Sequence, residues 1–248
     1  MKTLTPAERL IVAADFKPIS GHGYSPRSSV WTDVVNLAKA LKGMGVYLKV
    51  NSALRACGYC LIDAIHQQGL QVFADLKLFD IKETLAIDGM LLYEAKPELL
   101  TTVCTVGIEA MQALKKELPD TEVLGVTVLT SLKDVDTQAM FTCSTQEAVV
   151  RFAKVAADAK IDGLISSPME AEILRAKFGM LLSLNTPAIR PAWAVVAGDD
   201  QNPERIMTPA KAIKAGADRI VIGRPITRAE NPYDAVMRTI EEIALATA

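Results

Sequence analysis

The chain has 248 residues, of which 50% are hydrophobic and 23% charged, and its formal net charge is −2. This length fits one α/β domain with a large core, while the weak charge and the five Tyr and two Trp argue against a nucleic-acid partner. No apolar run approaches the ~20 residues that a membrane-spanning helix needs. Residues 1–6 lack the architecture of a signal peptide, so we expect a cytoplasmic protein with no membrane partner.

Short apolar runs alternate with segments of helical apolar spacing about eight times along the chain. The runs that we interpret as strands are residues 10–14, 46–50, 72–76, 99–103, 123–129, 163–166, 180–184 and 219–222. The helical segments are residues 34–41, 53–67, 84–94, 107–118, 146–158, 171–176, 209–215 and 233–246. This order predicts an α/β fold, a single (β/α)8 TIM barrel domain over residues 1–248. A doubly wound sheet is the alternative, but it normally needs fewer strands and a glycine-rich first turn.

Two long loops interrupt the alternation, residues 16–29 after the first strand and residues 192–207 after the seventh. Each follows a strand, so both are expected on the carboxyl face of the barrel, where active sites are built. The alternative for each loop is a tolerated surface insertion.

The third strand acquires charges of alternating sign where it ends, in V-F-A-D-L-K-L-F-D-I-K-E-T over residues 72–84. Period-2 alternation puts Asp75 and Lys77 on one face, about 6.6 Å apart. A buried ion pair is the structural alternative, but such pairs contribute little net stability. Asp80 has a structural alternative of equal weight, the N-cap of a helix with Glu83 three positions on.

Polar residues at the carboxyl ends of other strands are predicted to converge with these charges on one pocket. They are Asp15, Lys49, Thr127, Thr130, Ser131, Ser166, Ser167, Arg190, Arg224 and Thr227. Gly223 and Arg224 after the last strand predict a phosphate site, because glycine lets the backbone approach an anion and arginine offers a bidentate fork. Gln201 lies in the second long loop, from which it could reach over that site. The alternative for Arg224 is a surface salt bridge.

The cysteines and histidines point to no metal site or nucleophilic triad. Cys57 and Cys60 have metal or redox spacing, but no second Cys or His pair completes four zinc ligands, so we interpret them as buried thiols in a helix. With only His22, in a loop, and His66, within a predicted helix, a Ser-His-Asp triad is poorly supported.

The motifs resemble the orotidine 5′-monophosphate decarboxylase family over nearly the whole chain. F-A-D-L-K-L-F-D-I-K-E-T is similar to the family's Asp-x-Lys-x-x-Asp-Ile-x-x-Thr signature, and I-V-A-A-D-F, Y-L-K-V-N-S, V-T-V-L-T-S, T-P-A-I-R-P, G-D-D-Q and I-V-I-G-R-P-I-T follow the family's order. The chain departs from the usual pattern at Asn51, Phe79, Lys82-Glu83 and Cys104, and in the insertion at residues 16–29.

The resemblance implies decarboxylation of orotidine 5′-monophosphate to uridine 5′-monophosphate without a metal or cofactor. Lys77 would protonate C6 of the pyrimidine, Asp75 would face the substrate carboxylate, and Lys49 and Asp80 would complete an alternating charged row. The substrate contacts implied by the resemblance are Asp15, Ile81, Thr84, Thr130, Ser131, Arg190, Gln201, Gly223 and Arg224. Residues 192–207 would act as a lid over the phosphate.

The resemblance also implies a C2 homodimer in which Asp80, Ile81 and Thr84 complete the partner's site. Two other functions stay open. One is a sister sugar-phosphate decarboxylase or aldolase, which is usually metal-assisted. The other is a catalytically silent barrel that binds a nucleotide as a sensor.

Overall fold

Eight parallel strands close into a barrel in the part of the chain that this computed structural model describes, residues 3–21, 23, 25–194 and 207–247. The strands follow one another around the barrel in sequence order, and the last pairs with the first. Their bounds are β1 Leu10–Ala13, β2 Tyr47–Val50, β3 Gln71–Leu78, β4 Leu99–Val103, β5 Glu122–Val126, β6 Gly163–Ile165, β7 Ser183–Thr186 and β8 Arg219–Ile222. The predicted (β/α)8 TIM barrel is confirmed, and closure excludes the doubly wound sheet.

Helices surround the barrel and connect successive strands. Their bounds are α1 Pro26–Ala40, α2 Ser52–Cys57, α3 Cys60–His66, α4 Lys82–Ala95, α5 Ile108–Glu117, α6 Asp134–Phe141, α7 Thr145–Ala159, α8 Ala171–Phe178, α9 Pro209–Lys214, α10 Arg224–Thr227 and α11 Pro232–Thr247. None of the helices in the described ranges is long and apolar enough to cross a bilayer.

Three local predictions differ from the structure. The loop predicted at residues 16–29 ends early, because Ser25 caps α1 by accepting a hydrogen bond from the Ser28 amide at 3.1 Å and Pro26 occupies the first turn. The helix predicted at residues 53–67 is broken by Gly58, whose φ is 81°. Between β5 and α7, α6 is an additional helix that the apolar pattern did not reveal.

Alternate residues of each strand face two separate cores. Inside the barrel, a small cluster includes Ile11, Phe73, Leu124 and Val221. On the outer face of the strands, a much larger cluster packs against the helices. Strands buried on both faces read as continuous apolar runs, which is why the sequence pattern located them.

A largely buried polar cluster lies at the amino-terminal end of the barrel. Arg219 donates to Glu122 Oε1 at 2.7 Å and Oε2 at 2.9 Å, and its guanidinium lies 5.1 Å from the centre of the Tyr47 ring. Burial raises the pKa of Tyr47 despite the neighbouring Arg219. These three residues begin β8, β5 and β2, so their side chains meet at the amino-terminal end of the barrel.

The prediction that Cys57 and Cys60 are buried is wrong. Cys57 is half-buried and Cys60 is exposed, because the break at Gly58 separates α2 from α3 and turns this segment towards solvent. Cys104 and Cys143 are buried, and burial raises the pKa of Cys104 to about 12.

Candidate active site

A cavity of about 430 Å³ lies at the carboxyl ends of the strands. Polar and charged residues on its wall are Asp15, Lys49, Asp75, Lys77, Thr130, Ser166, Arg190, Arg224 and Thr227. Apolar side chains such as Phe73, Ile165 and Val221 form its floor, at the top of the inner core. The cavity therefore joins a small apolar base to a charged rim, as small-molecule sites do.

Four charged side chains form an alternating row along this wall. Lys49 Nζ lies 2.9 Å from Asp15 Oδ2 and 3.2 Å from Asp75 Oδ2, so one ammonium bridges two carboxylates. Lys77 Nζ lies 2.7 Å from each carboxylate oxygen of Asp75. The predicted proximity of Asp75 and Lys77 is confirmed, although β3 is not regular there: Lys77 has a left-handed φ of 48°.

The two central members of the row are buried and remain charged. Burial by itself would lower the pKa of Lys49. The carboxylates of Asp75 and Asp15 outweigh this effect, so the pKa of Lys49 is raised. Burial likewise disfavours the Asp75 carboxylate, but Lys49 and Lys77 hold the pKa of Asp75 below its ordinary value. Opposite charges thus lie side by side, and the two central side chains, Lys49 and Asp75, are shielded from water.

Cationic side chains stand at another part of the wall, after β7 and β8. Arg190 is buried, and its backbone amide donates to the Met207 carbonyl at 2.9 Å. Arg224 begins the short helix α10, directly after Gly223. Loops in these positions often bind phosphate in TIM barrels.

The fold agrees with the comparison to known proteins. The model of the Orotidine 5'-phosphate decarboxylase / HUMPS family matches residues 8–239. The chain belongs to this family.

Relatives with the orotidine 5'-phosphate decarboxylase name are similar over most of their length. The protein of that name from Syntrophus aciditrophicus (strain SB) is 38% identical over 223 residues, which cover 86% of this chain and 88% of the relative. The one from Geobacter sp. (strain M21) is 34% identical over 245 residues, 95% of this chain and 96% of the relative. The crystal structure of the Lactobacillus acidophilus enzyme superposes with a TM-score of 0.74 at 26% identity, covering 95% of this chain and 99% of that one.

Several residues predicted from the family resemblance lie away from the cavity wall of this chain. The described residues that form the wall do not include Asp80, Ile81, Thr84 or Ser131. Gln201, and most of the lid predicted at residues 192–207, lie outside the described residues.

Asp80 is not the N-cap of α4. That position is held by Ile81, and the Asp80 carboxylate accepts a hydrogen bond from the Ile81 amide at 2.7 Å, one residue on. An N-cap side chain would instead accept from an amide two or three residues on. The helix begins one residue later than the capping pattern with Glu83 predicts, so Asp80 lies in the exposed link between β3 and α4.

Two residues that contact Asp75 were not singled out by sequence as members of the site. Thr101 Oγ1 donates to Asp75 Oδ1 at 3.0 Å, and Asn51 Nδ2 donates to Asp75 Oδ2 at 3.4 Å. Asn51 was noted only as a departure from the family pattern. The sequence does carry a signal for Thr101: it is a polar residue inside the apolar run of β4, on the same face as its inward-facing neighbour Leu99.

The described residues contain no group of three or more His, Cys, Asp or Glu side chains that could hold a metal ion. Reaction without a metal or cofactor stays a prediction that requires a solution experiment.

Proposed function

We propose that this protein decarboxylates orotidine 5′-monophosphate to uridine 5′-monophosphate, a step of de novo pyrimidine biosynthesis, in the cytoplasm and without a metal or cofactor. The observation that carries the proposal is the row Asp15, Lys49, Asp75 and Lys77 in the cavity of a barrel of this family. The names of the relatives support the choice of substrate.

The chemistry requires a fixed cation beside the reacting carbon. Loss of carbon dioxide breaks the bond between C6 and the carboxyl carbon and leaves an electron pair on C6 that the ring does not delocalise. The Lys77 ammonium would stabilise this charge and then transfer a proton to C6, forming the new C–H bond. The neutral amine would regain its proton from water.

Asp75 has two parts in this proposal. It holds the Lys77 ammonium at 2.7 Å, and its own charge would face the substrate carboxylate, where repulsion is relieved as neutral carbon dioxide departs. The buried Lys49 ammonium would balance the charge of Asp75 on the other side. Despite burial, Asp75 and Asp15 raise the pKa of Lys49, so this lysine stays charged. We assign Asp80 to the same row in an assembled dimer.

The remaining residues would bind the substrate. We assign Asp15 to the ribose, Thr130 and Ser131 to other substrate contacts, and Arg190, Gln201, Gly223 and Arg224 to the phosphate. A Cβ added at Gly223 would meet Ala13 Cβ at 3.6 Å, an ordinary contact. The protein therefore leaves space at this position in which a ligand can approach the backbone.

We further propose a C2 homodimer in which Asp80, Ile81 and Thr84 complete the partner's site. The support is the exposure of the link between β3 and α4: Phe79 is 68% and Ile81 67% exposed. Large apolar side chains flanking an exposed carboxylate suit a reciprocal contact between identical chains better than contact with water.

The deciding experiment follows the absorbance of orotidine 5′-monophosphate with purified protein in the presence of a strong chelator. We expect turnover, with uridine 5′-monophosphate as the product. Activity that the chelator abolishes would point to a metal-assisted sister activity. Tight nucleotide binding without turnover would point to a sensor. Either outcome would overturn the proposal.

A further inference from the structure

Strand β3 leaves regular pairing at the residues that carry its charges. Ala74 pairs with Leu100, but the next pair is Leu78 with Thr102, so β3 advances four residues while β4 advances two. The two extra residues of β3 form a bulge that contains Lys77. The φ of Lys77, 48°, is uncommon for a residue other than glycine. Bulges re-aim side chains next to active sites, and this one turns Lys77 back towards Asp75.

The hydroxyl of Thr101 joins the two sides of this bulge. Thr101 lies in β4 between the two pairs and is fully buried. Its Oγ1 accepts a hydrogen bond from the Lys77 amide at 2.9 Å and donates one to Asp75 Oδ1 at 3.0 Å. The direction of each bond is fixed, because an amide can only donate and an ionised carboxylate can only accept.

We propose that Thr101 is a positioning residue: its hydroxyl holds the Asp75 carboxylate and the Lys77 backbone in one arrangement, so that the Lys77 ammonium is directed at the reacting carbon. The identity of the reaction rests on the function proposed above. Removing the hydroxyl leaves the Lys77 amide without this acceptor and lets the carboxylate rotate. A displacement of about 1 Å in a catalytic group can lower a rate about 10²-fold.

Thr102 provides a matched control on the same strand. It is also fully buried, and its Oγ1 donates to the Leu78 carbonyl at 2.9 Å, at the end of the same bulge. Successive strand residues point to opposite faces, so Thr102 faces the helices, where Leu78 packs against the outer core. Loss of its hydroxyl removes one buried hydrogen bond from the bulge and leaves the contacts of Thr101 in place.

The test compares Thr101→Val, Thr101→Ser and Thr102→Val with the wild type, using orotidine 5′-monophosphate as substrate and the melting temperature as a measure of folding. We expect Thr101→Val to lower kcat about 10- to 100-fold, with KM changed less than about threefold because the phosphate contacts are untouched. Thr101→Ser should restore kcat, and Thr102→Val should keep kcat near the wild-type value. We expect both valine variants to have lower melting temperatures than the wild type.

Two kinetic results would overturn the inference. One is a loss of kcat in Thr102→Val as large as that in Thr101→Val, which would make the effect one of general stability. The other is failure of serine to restore kcat, which would show that the methyl group matters and the hydroxyl does not.

Crystal structures of the same variants separate this inference from the proposed function. If the wild type does not act on orotidine 5′-monophosphate, the proposed function fails, yet the structures still decide the role of Thr101. We expect the contact between Asp75 and Lys77 to be altered in Thr101→Val and kept in Thr102→Val. An unchanged contact in Thr101→Val would overturn the inference whatever the activity.

Discussion

Lys77 donates to both carboxylate oxygens of Asp75 at 2.7 Å, from a backbone held in the left-handed region. Such a conformation costs about 1–3 kcal/mol for a non-glycine residue and persists where the surroundings over-determine it. The side chain of Asp75 is 9% exposed and that of Lys77 is 30% exposed, so the ammonium lies on the open side of the pair. A molecule that enters the cavity therefore reaches Lys77 before Asp75.

Replacing Lys77 by alanine should nearly abolish decarboxylation. The variant loses both the fixed cation and the proton donor, so we expect kcat to fall by about 10⁴-fold or more. It should still fold and bind uridine 5′-monophosphate, which calorimetry can measure. Lys154→Ala is the control, since Lys154 pairs with Asp158 at 2.7 Å on the exposed face of α7. Near-normal turnover in Lys77→Ala would rule out the proposed mechanism.

Replacing Arg224 by alanine should damage phosphate recognition selectively. We expect a large rise in KM and a loss of several kcal/mol in transition-state stabilisation, calculated from kcat/KM. The variant should act on the nucleoside without phosphate about as poorly as the wild type does. Steady-state kinetics with both substrates, and with the surface variant Arg151→Ala as control, measure the difference. An equal loss on both substrates would assign Arg224 a structural role.

Mixing two inactive variants should restore activity if Asp80 serves the partner's site. Lys77→Ala and Asp80→Asn homodimers should each be nearly inactive. In a hybrid dimer, one site takes Lys77 from the Asp80→Asn chain and Asp80 from the Lys77→Ala chain, so it is complete, while the other site carries both changes.

After co-refolding, we expect up to half of the wild-type activity per hybrid dimer, measured against the unmixed variants refolded in the same way. If Asp80 serves its own barrel, no site in the mixture is complete. Activity that stays at the level of the separate variants would therefore contradict the shared site.

His66 should make stability depend on pH at the other end of the barrel. Its Nε2 lies 3.2 Å from Glu98 Oε2, and this hydrogen bond raises the pKa of His66 although burial opposes it. A raised native pKa means that the stabilisation is fully present below about pH 6.5, the unfolded value. It is lost as the pH rises through the higher native value.

Urea unfolding of the wild type and His66→Gln across this pH range measures the effect. The difference in unfolding free energy should be largest at low pH and shrink as the pH rises, while kcat of the variant stays near the wild-type value. A difference that is constant with pH, or that grows as the pH rises, would show that the charge of His66 contributes no stability.

Local sequence patterns predicted the barrel and most of the polar wall. Strands buried on both faces and helices with one apolar stripe have periods that depend only on neighbouring residues, so β4 and β8 were located with the right bounds. The rule that active sites lie at strand carboxyl ends then selected Lys49, Asp75 and Lys77. The break at Gly58 was missed because apolar spacing continues across it, and the exposure of Cys60 was missed with it.

Other features were decided only by the closed tertiary structure. Strict alternation predicted the meeting of Asp75 and Lys77, but in the structure a two-residue surplus in β3 produces it, and this surplus exists only relative to the register of β4. Lys49 bridges Asp15 and Asp75 because the strand order sets β1 and β3 on either side of β2. The role of Thr101 depends on the same register.

The sequence by itself determined which residues have the chemistry, since composition and period are local properties. Only the tertiary structure decided which of them touch, because hydrogen bonds between strands depend on pairing across long separations in the chain.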